Sequence, residues 1–249
     1  VAGPVSLCLL CEEETNRQMT WRQFFKLVEP PLLCGKCLQP FERITGECCR
    51  LCSRPLAVLD ASFIVDGVCR DCVRWEEESL YKEVLSGNVS LYTYNEAMKA
   101  FIARFKYRGD YMLAKAFAEE VRQAARKIPH DMVVPVPLSE ERLHERGFNQ
   151  AEALAREAGM KPVNVLERSH AEKQSKKSRE ERLRGAQVFR LKENSSVHRK
   201  TILLTDDIYT TGATVRHIAY VLKQAGAAGV TSLTLARGQG REREAVLEE

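Results

Sequence analysis

All nine cysteines of this 249-residue chain lie between Cys8 and Cys72, and eight of them form four Cys-x-x-Cys pairs: Cys8 with Cys11, Cys34 with Cys37, Cys49 with Cys52, and Cys69 with Cys72. Each pair offers two thiolates from one tight turn, and two such turns close a tetrahedral four-sulfur site for zinc. Four pairs therefore make two sites. A sequential assignment puts Cys8, Cys11, Cys34 and Cys37 on one ion and Cys49, Cys52, Cys69 and Cys72 on the other. Spacing alone permits an interleaved arrangement equally. Cys48 reads as a bystander, although its place next to Cys49 would let it compete for the ligand position. A disulfide framework would need an oxidising compartment, and a redox role suits one isolated pair better than four clustered ones.

Because no cysteine follows Cys72, composition itself draws a module boundary. The expected division is a zinc module over 1–75, an α/β domain over 76–240 and a charged tail over 241–249. A module that small buries little apolar surface, so metal binding has to supply much of its folding energy. With 44% hydrophobic residues, the remainder can enclose one substantial core. No run of about 18 apolar residues occurs, and residues 1–10 lack the pattern of a secretory signal. The expectation is a cytoplasmic protein without membrane insertion. A net charge of +4 does not demand a duplex-coating surface. The segment 168–184 is locally cationic, however, with seven Lys or Arg against three Glu.

Hydrophobic periodicity predicts a linker helix over 76–85, a strand over 90–94, and helices over 96–105 and 111–127. A buried strand over 132–136 follows, punctuated by Pro135 and Pro137, then a helix over 149–158 and a strand over 163–166. The segment to Arg184 has no periodicity and reads as a loop. Strands over 188–191, 201–204 and 230–235, with a helix over 213–224, complete an α/β alternation that calls for a doubly wound parallel sheet.

The stretch 201–214, Thr-Ile-Leu-Leu-Thr-Asp-Asp-Ile-Tyr-Thr-Thr-Gly-Ala-Thr, carries the chemistry. An apolar strand delivers Asp206 and Asp207 at its carboxyl end, where open α/β sheets place their ligand crevice. Tyr209, Thr210, Thr211, Gly212, Ala213 and Thr214 then form a small-residue turn into a helix. Backbone N–H groups there, with Thr hydroxyls, make an anion cradle, and Gly212 allows close approach. The acids would repel a phosphate, so they must face something else, and the vicinal hydroxyls of a ribose or a metal ion fit that need. A capped helix with two acids near its start is the plainer alternative.

This stretch resembles the 5-phosphoribosyl-1-pyrophosphate (PRPP) signature of type I phosphoribosyltransferases. Together with the cysteine pairs, Phe105-Lys106-Tyr107-Arg108-Gly109, Val134-Pro135-Val136-Pro137-Leu138 and Arg146-Gly147-Phe148-Asn149-Gln150, it makes nearly the whole chain similar to the ComF family of competence-associated proteins, its ComFC branch in particular. The resemblance implies a type I phosphoribosyltransferase-like parallel sheet with helices on both faces, plus a double zinc-ribbon module. It implies that Asp206 and Asp207 hold the ribose of PRPP or a related ribose phosphate and that 209–214 wrap its phosphate, with Mg2+ on the pyrophosphate. By the same resemblance Val136, Pro137, Arg142 and Arg146 are the candidate pyrophosphate loop, and Lys176 and Lys177 fall in a segment similar to the flexible loop that closes over PRPP in type I enzymes, where they would neutralise pyrophosphate or equally contact a nucleic-acid backbone. It also implies a part in natural transformation, with competence proteins and single-stranded DNA as candidate partners.

The chain departs from purine-salvage enzymes in having Thr210 where they carry an acid near the base nitrogen. The acceptor of a transfer therefore has no counterpart in this reading, and an active transferase, a non-catalytic nucleotide sensor and a DNA-processing adaptor all stay open.

Overall fold

A computed structural model describes residues 7–15, 32–107, 109–168 and 188–238. In the cysteine-rich part, a short helix α1 (Gly35–Leu38) carries Cys37, a two-stranded ribbon pairs β1 (Ile64–Val65) with β2 (Val68–Cys69), and α2 (Arg70–Glu77) follows directly. The helix predicted over 76–85 thus lies further upstream. It starts from the cysteine turn itself, with Cys69 as its N-cap and Asp71 in its first turn, where the dipole favours an acid. Residues 78–84 are turns, closed where the Glu83 amide donates to Glu76 Oε2 at 2.9 Å.

The main sheet contains β3 (Gly87–Thr93), β4 (Met132–Pro135), β7 (Thr201–Tyr209) and β8 (Gly229–Arg237), all parallel in the order β3-β8-β7-β4. β7 sits between β8 and β4, and strand alternation sends its successive side chains to opposite faces. Ile202 and Leu204 meet α7 (Ala213–Gln224), which buries Val215, Ile218, Ala219 and Leu222 at helical spacing. Leu203 meets α4 (Ala118–Arg126) and α6 (Gln150–Glu157), through Val121, Ala125 and Ala155. The helix α3 (Glu96–Tyr107) packs Met98, Phe101, Ile102 and Phe105 against Tyr92 and Leu235. Helices therefore cover both faces, as expected.

Several elements differ from the sequence reading. The helix predicted over 111–127 is a 3-10 segment (Tyr111–Phe117) followed by α4, with the break at Phe117 (φ −119°, ψ 15°). The strand expected over 163–166 is displaced to β5 (Leu166–Arg168). It pairs antiparallel with β6 (Phe189–Leu191) in a separate ribbon and does not join the main sheet. β7 runs past Leu204 to Tyr209, because β8 continues to pair with it at Asp206↔Thr234 and Ile208↔Ala236. Residues 139–147 form a helix that periodicity did not single out, α5 (Glu140–Arg146). Ser139 caps its start by accepting from the Arg142 amide, and Gly147, at φ +77°, ends it.

The cysteine-rich part docks tightly on the sheet. Cys49, Cys52, Cys69 and Cys72 belong to the same buried cluster as Val134, Ile202, Leu204 and Tyr209, while Cys8 and Leu33 join the cluster around Tyr92, Phe101 and Phe117. Asn88 on β3 donates its amide to Leu51 O and accepts from Ser53 Oγ at its carbonyl, so the strand edge is partnered by the module. Among the described residues no helix is long and apolar enough to cross a membrane.

Candidate ribose-phosphate crevice and cysteine centres

The cysteines gather into two groups in the sequential order: Cys8, Cys11, Cys34 and Cys37, and Cys49, Cys52, Cys69 and Cys72, with the sulfurs of each group within 4.8 Å of one another. Zinc–sulfur bonds of about 2.3 Å in a tetrahedron place sulfurs roughly 3.8 Å apart. The Cys11–Cys34 and Cys52–Cys69 sulfurs stand at 3.7 and 3.6 Å, so the donor sets fit that ion. Backbone amides also point at the sulfurs. Cys34 N–H donates to Cys8 Sγ and Cys69 N–H to Cys49 Sγ, each at 3.3 Å. Burial raises the Cys8 thiol, yet amide bonds from Cys11, Cys34 and Leu10 bring it down to about 6, towards the thiolate a metal needs. Cys48 stands apart, its sulfur directed at Gly46 O.

At the carboxyl end of the sheet, β7 presents Asp206 and Asp207 just before its last residue pair. Asp207 is 7% exposed and is ion-paired through Oδ2 with the ammonium of Lys106, near the end of α3. Asp206 is partly buried, and its Oδ1 accepts from the Asp207 amide at 2.9 Å. Burial and then the charge of Asp207 push the Asp206 carboxyl well above the ordinary carboxylate range. Consecutive strand residues face opposite sides, which is why a single cation from α3 reaches one acid directly.

Beyond the acids the chain turns sharply. Tyr209 is buried, Thr210 and Thr211 are exposed, and Gly212 adopts φ +84° as the N-cap of the 12-residue α7. A Cβ at Gly212 would lie 2.2 Å from Tyr209 Oη, so the glycine is required by both conformation and space. The first turn of α7 contains no acid, which leaves its dipole free for an anion. The amides of Thr211 and Gly212 have no acceptor among the described residues, and Ala213 N–H is held only by Thr211 Oγ1 at 3.4 Å. Thr214 is exposed at the start of the helix.

The second candidate loop lies beside it. Val136 N–H donates to Thr205 O on β7, and Val136 O accepts from Asn149 Nδ2, both at 2.9 Å, so the Val136–Pro137 turn flanks the acids. Arg146 donates to Gln150 Oε1, with its guanidinium 5.8 Å from the Tyr107 ring, at the corner that also holds Lys106. Arg142 is exposed on α5. Lys176 and Lys177 lie outside the described residues.

Sequence reasoning missed Lys106. It lies within the Phe105-Lys106-Tyr107 motif, but a lysine on an amphipathic helix reads as solvated until the fold brings it to an acid 101 positions away. The same reasoning also missed Arg237, whose buried guanidinium lies against the loop carbonyls. Its signal was an arginine ending an apolar strand run.

No protein-family model matches the chain. It is 41% identical over 235 residues, covering 93% of this chain and 95% of the relative, to the competence protein ComFC of Bacillus subtilis (strain 168). The competence protein ComFC of Streptococcus pneumoniae (strain ATCC BAA-255 / R6) is 36% identical over 231 residues, covering 92% and 99%. Competence protein F of Haemophilus influenzae is 30% identical over 186 residues, covering 68% and 78%. Solved structures with partial likeness include a purine phosphoribosyltransferase from Pyrococcus horikoshii (TM-score 0.34, 15% identity, 65% of this chain and 97% of that one). Another is a hypoxanthine phosphoribosyltransferase from Staphylococcus aureus (TM-score 0.32, 15% identity, 50% and 62%).

Proposed function

The chain belongs to the ComFC family of competence proteins, and from that premise we propose that its α/β crevice binds PRPP or a closely related ribose phosphate during the uptake or processing of transforming single-stranded DNA. The observation that carries this reading is the β7–α7 turn. A carboxylate pair runs straight into a glycine-cornered loop whose free amides and threonine hydroxyls open a helix with no acid in its first turn. Few ligands want acids and an anion cradle within one short stretch. A sugar with vicinal hydroxyls and a 5′-phosphate is one of them.

In this reading Asp206 and Asp207 accept hydrogen bonds from the ribose hydroxyls. Thr210, Thr211 and Thr214, with the loop amides, take the phosphate. Val136, Pro137 and Arg146 border the space for a pyrophosphate, where a cation such as Arg146 offsets charge on the leaving oxygens. Lys106 orients the Asp207 carboxylate through their ion pair in the free protein. Magnesium, arriving with the ligand, would supply charge neutralisation of the pyrophosphate, with the Asp206 and Asp207 carboxylates as the oxygen donors of this crevice. Each four-cysteine group would hold one structural zinc ion.

Thr210 offers an exposed hydroxyl where a general base would stand, so no described group at that place can take a proton from an acceptor base. This favours binding without ordinary purine transfer. The test is made in a transformable cell that carries this chain as its sole copy, with Asp206→Ala and Asp207→Ala combined. Loss of transformation with the variant at normal abundance is expected. Undiminished transformation would transfer the weight to an adaptor that uses the cysteine module for docking. Release of pyrophosphate by the purified parent protein would separate a transferase from a sensor.

A further inference from the structure

The second four-cysteine group does more than border the crevice. Arg237, the last residue of β8, is 2% exposed and connects the two. Its Nε donates to Cys52 O at 3.0 Å and its Nη2 to Cys52 Sγ at 3.3 Å. On the other side, Nη1 donates to Thr210 O at 2.8 Å, to Tyr209 O at 3.3 Å and also to Gly238 O, with the guanidinium carbon 4.8 Å from the Tyr209 ring centre. A second tie comes from α2, three residues beyond Cys72, where Trp75 Nε1 donates to Thr211 O at 2.9 Å. A third joins the fully buried Arg216 of α7 to Glu76 of α2 at 3.0 Å.

Two successive loop carbonyls, those of Thr210 and Thr211, are thus held towards the cysteine module, while Tyr209 O also accepts from the Gly238 amide at 2.8 Å as the sheet ends. A trans peptide points its N–H opposite to its C=O. Holding those two carbonyls therefore turns the amides of Thr211 and Gly212 away from the module, in the direction an anion must occupy to meet them. The other cysteine group reaches the α/β unit elsewhere, at α3, where Arg104 Nη1 donates to Leu10 O at 3.0 Å.

We infer that Arg237 is a positioning residue through which the Cys49, Cys52, Cys69 and Cys72 group sets the conformation of the phosphate loop, so that metal in that group and ribose phosphate in the crevice stabilise each other. The inference rests on the crevice reading above and specifies its control. Linkage is reciprocal: if the loaded group orders the loop, an occupied loop must hold the metal more tightly in that group and leave the other unaffected. A purely structural arginine would lower stability without producing this selective effect.

The test follows zinc release from the fully loaded protein into a chromophoric chelator, with magnesium present throughout, with and without saturating PRPP. Two release phases are expected, and Cys49→Ser identifies the one belonging to the second group by removing it. PRPP slows that phase by about fivefold or more, the lower end of ordinary coupling, and leaves the other unchanged. In Arg237→Met the phase no longer responds to PRPP, and PRPP binds about fivefold or more weakly, although two zinc ions are still held. If PRPP binds the parent protein and neither phase changes, or both change equally, the inference falls while the crevice reading stands. If PRPP fails to bind the parent protein, the crevice reading falls and takes the inference with it. Should Arg237→Met not fold, release from the parent protein alone decides.

Discussion

Replacing Lys106 with methionine keeps most of the side-chain volume and deletes one charge. The Lys106 and Asp207 side chains are 18% and 11% exposed, so the pair is largely shielded from water. Removing one partner of a buried ion pair costs about 3–5 kcal/mol, because the other charge stays behind without compensation. Residual exposure of both groups places the expected loss near the lower end, at about 3 kcal/mol. In a chain of this length each kcal/mol moves the melting midpoint by about 2–4 °C, which gives a fall of roughly 6–12 °C. Differential scanning calorimetry on zinc-loaded protein measures it. Adding Asp207→Asn to Lys106→Met removes the stranded charge and should recover most of the loss, so the two substitutions are strongly non-additive. A Lys106→Met protein melting within about 2 °C of the parent, or additive effects in the double variant, would refute the claim that this lysine supports the acid pair.

Gly212→Ala forces a side chain into left-handed backbone at about 1–2 kcal/mol and drives its Cβ into the buried Tyr209 side chain; calorimetric affinity for PRPP should fall by at least about tenfold, together with a clear loss of melting temperature. Cys48→Ser should retain two zinc ions per chain by atomic emission and Cys49→Ser only one, because the Cys49 sulfur lies within its group and the Cys48 sulfur does not. Burial and the charge of Asp207 raise the Asp206 carboxyl. Its contribution to stability is therefore complete below its unfolded pKa and is lost as pH rises through the folded one. Asp206→Asn should accordingly gain stability over the parent at neutral pH, and the gain should vanish towards about pH 4 in pH-dependent denaturant titrations. By the same sign, a ligand that needs Asp206 ionised expels a proton, so its affinity rises with pH above the ordinary carboxylate range and its binding heat depends on the buffer.

The cysteine pairs, the 3.6-residue stripes of α3 and α7 and the glycine corner at 212 were legible because each is a local pattern with a local cause. The sequential grouping of the sulfurs was one of two readings that spacing allowed, and only the packing of Cys49 and Cys52 beside Cys69 and Cys72 selects it. The extent of β7 was misjudged because two acids in a row read as the end of a strand. Asp206 and, beyond the acids, Ile208 are nonetheless paired by β8, whose register lies in its own sequence some 28 residues on. Periodicity places the helix α2 too late because its start is set by the cysteine turn and not by an apolar stripe, with Cys72 its only buried residue. Lys106, Trp75 and Arg237 gain their meaning from partners about 100 to 185 positions away, which no window of sequence contains.

Isothermal titration of the zinc-loaded protein with PRPP and magnesium, beside the Asp206→Ala, Asp207→Ala double variant, tests the central claim most directly. Saturable binding to the parent protein that disappears in the folded double variant is the predicted result. An absence of binding to the folded, zinc-loaded parent, or equal binding to both proteins, would contradict the assignment of the β7–α7 turn as a ribose-phosphate site.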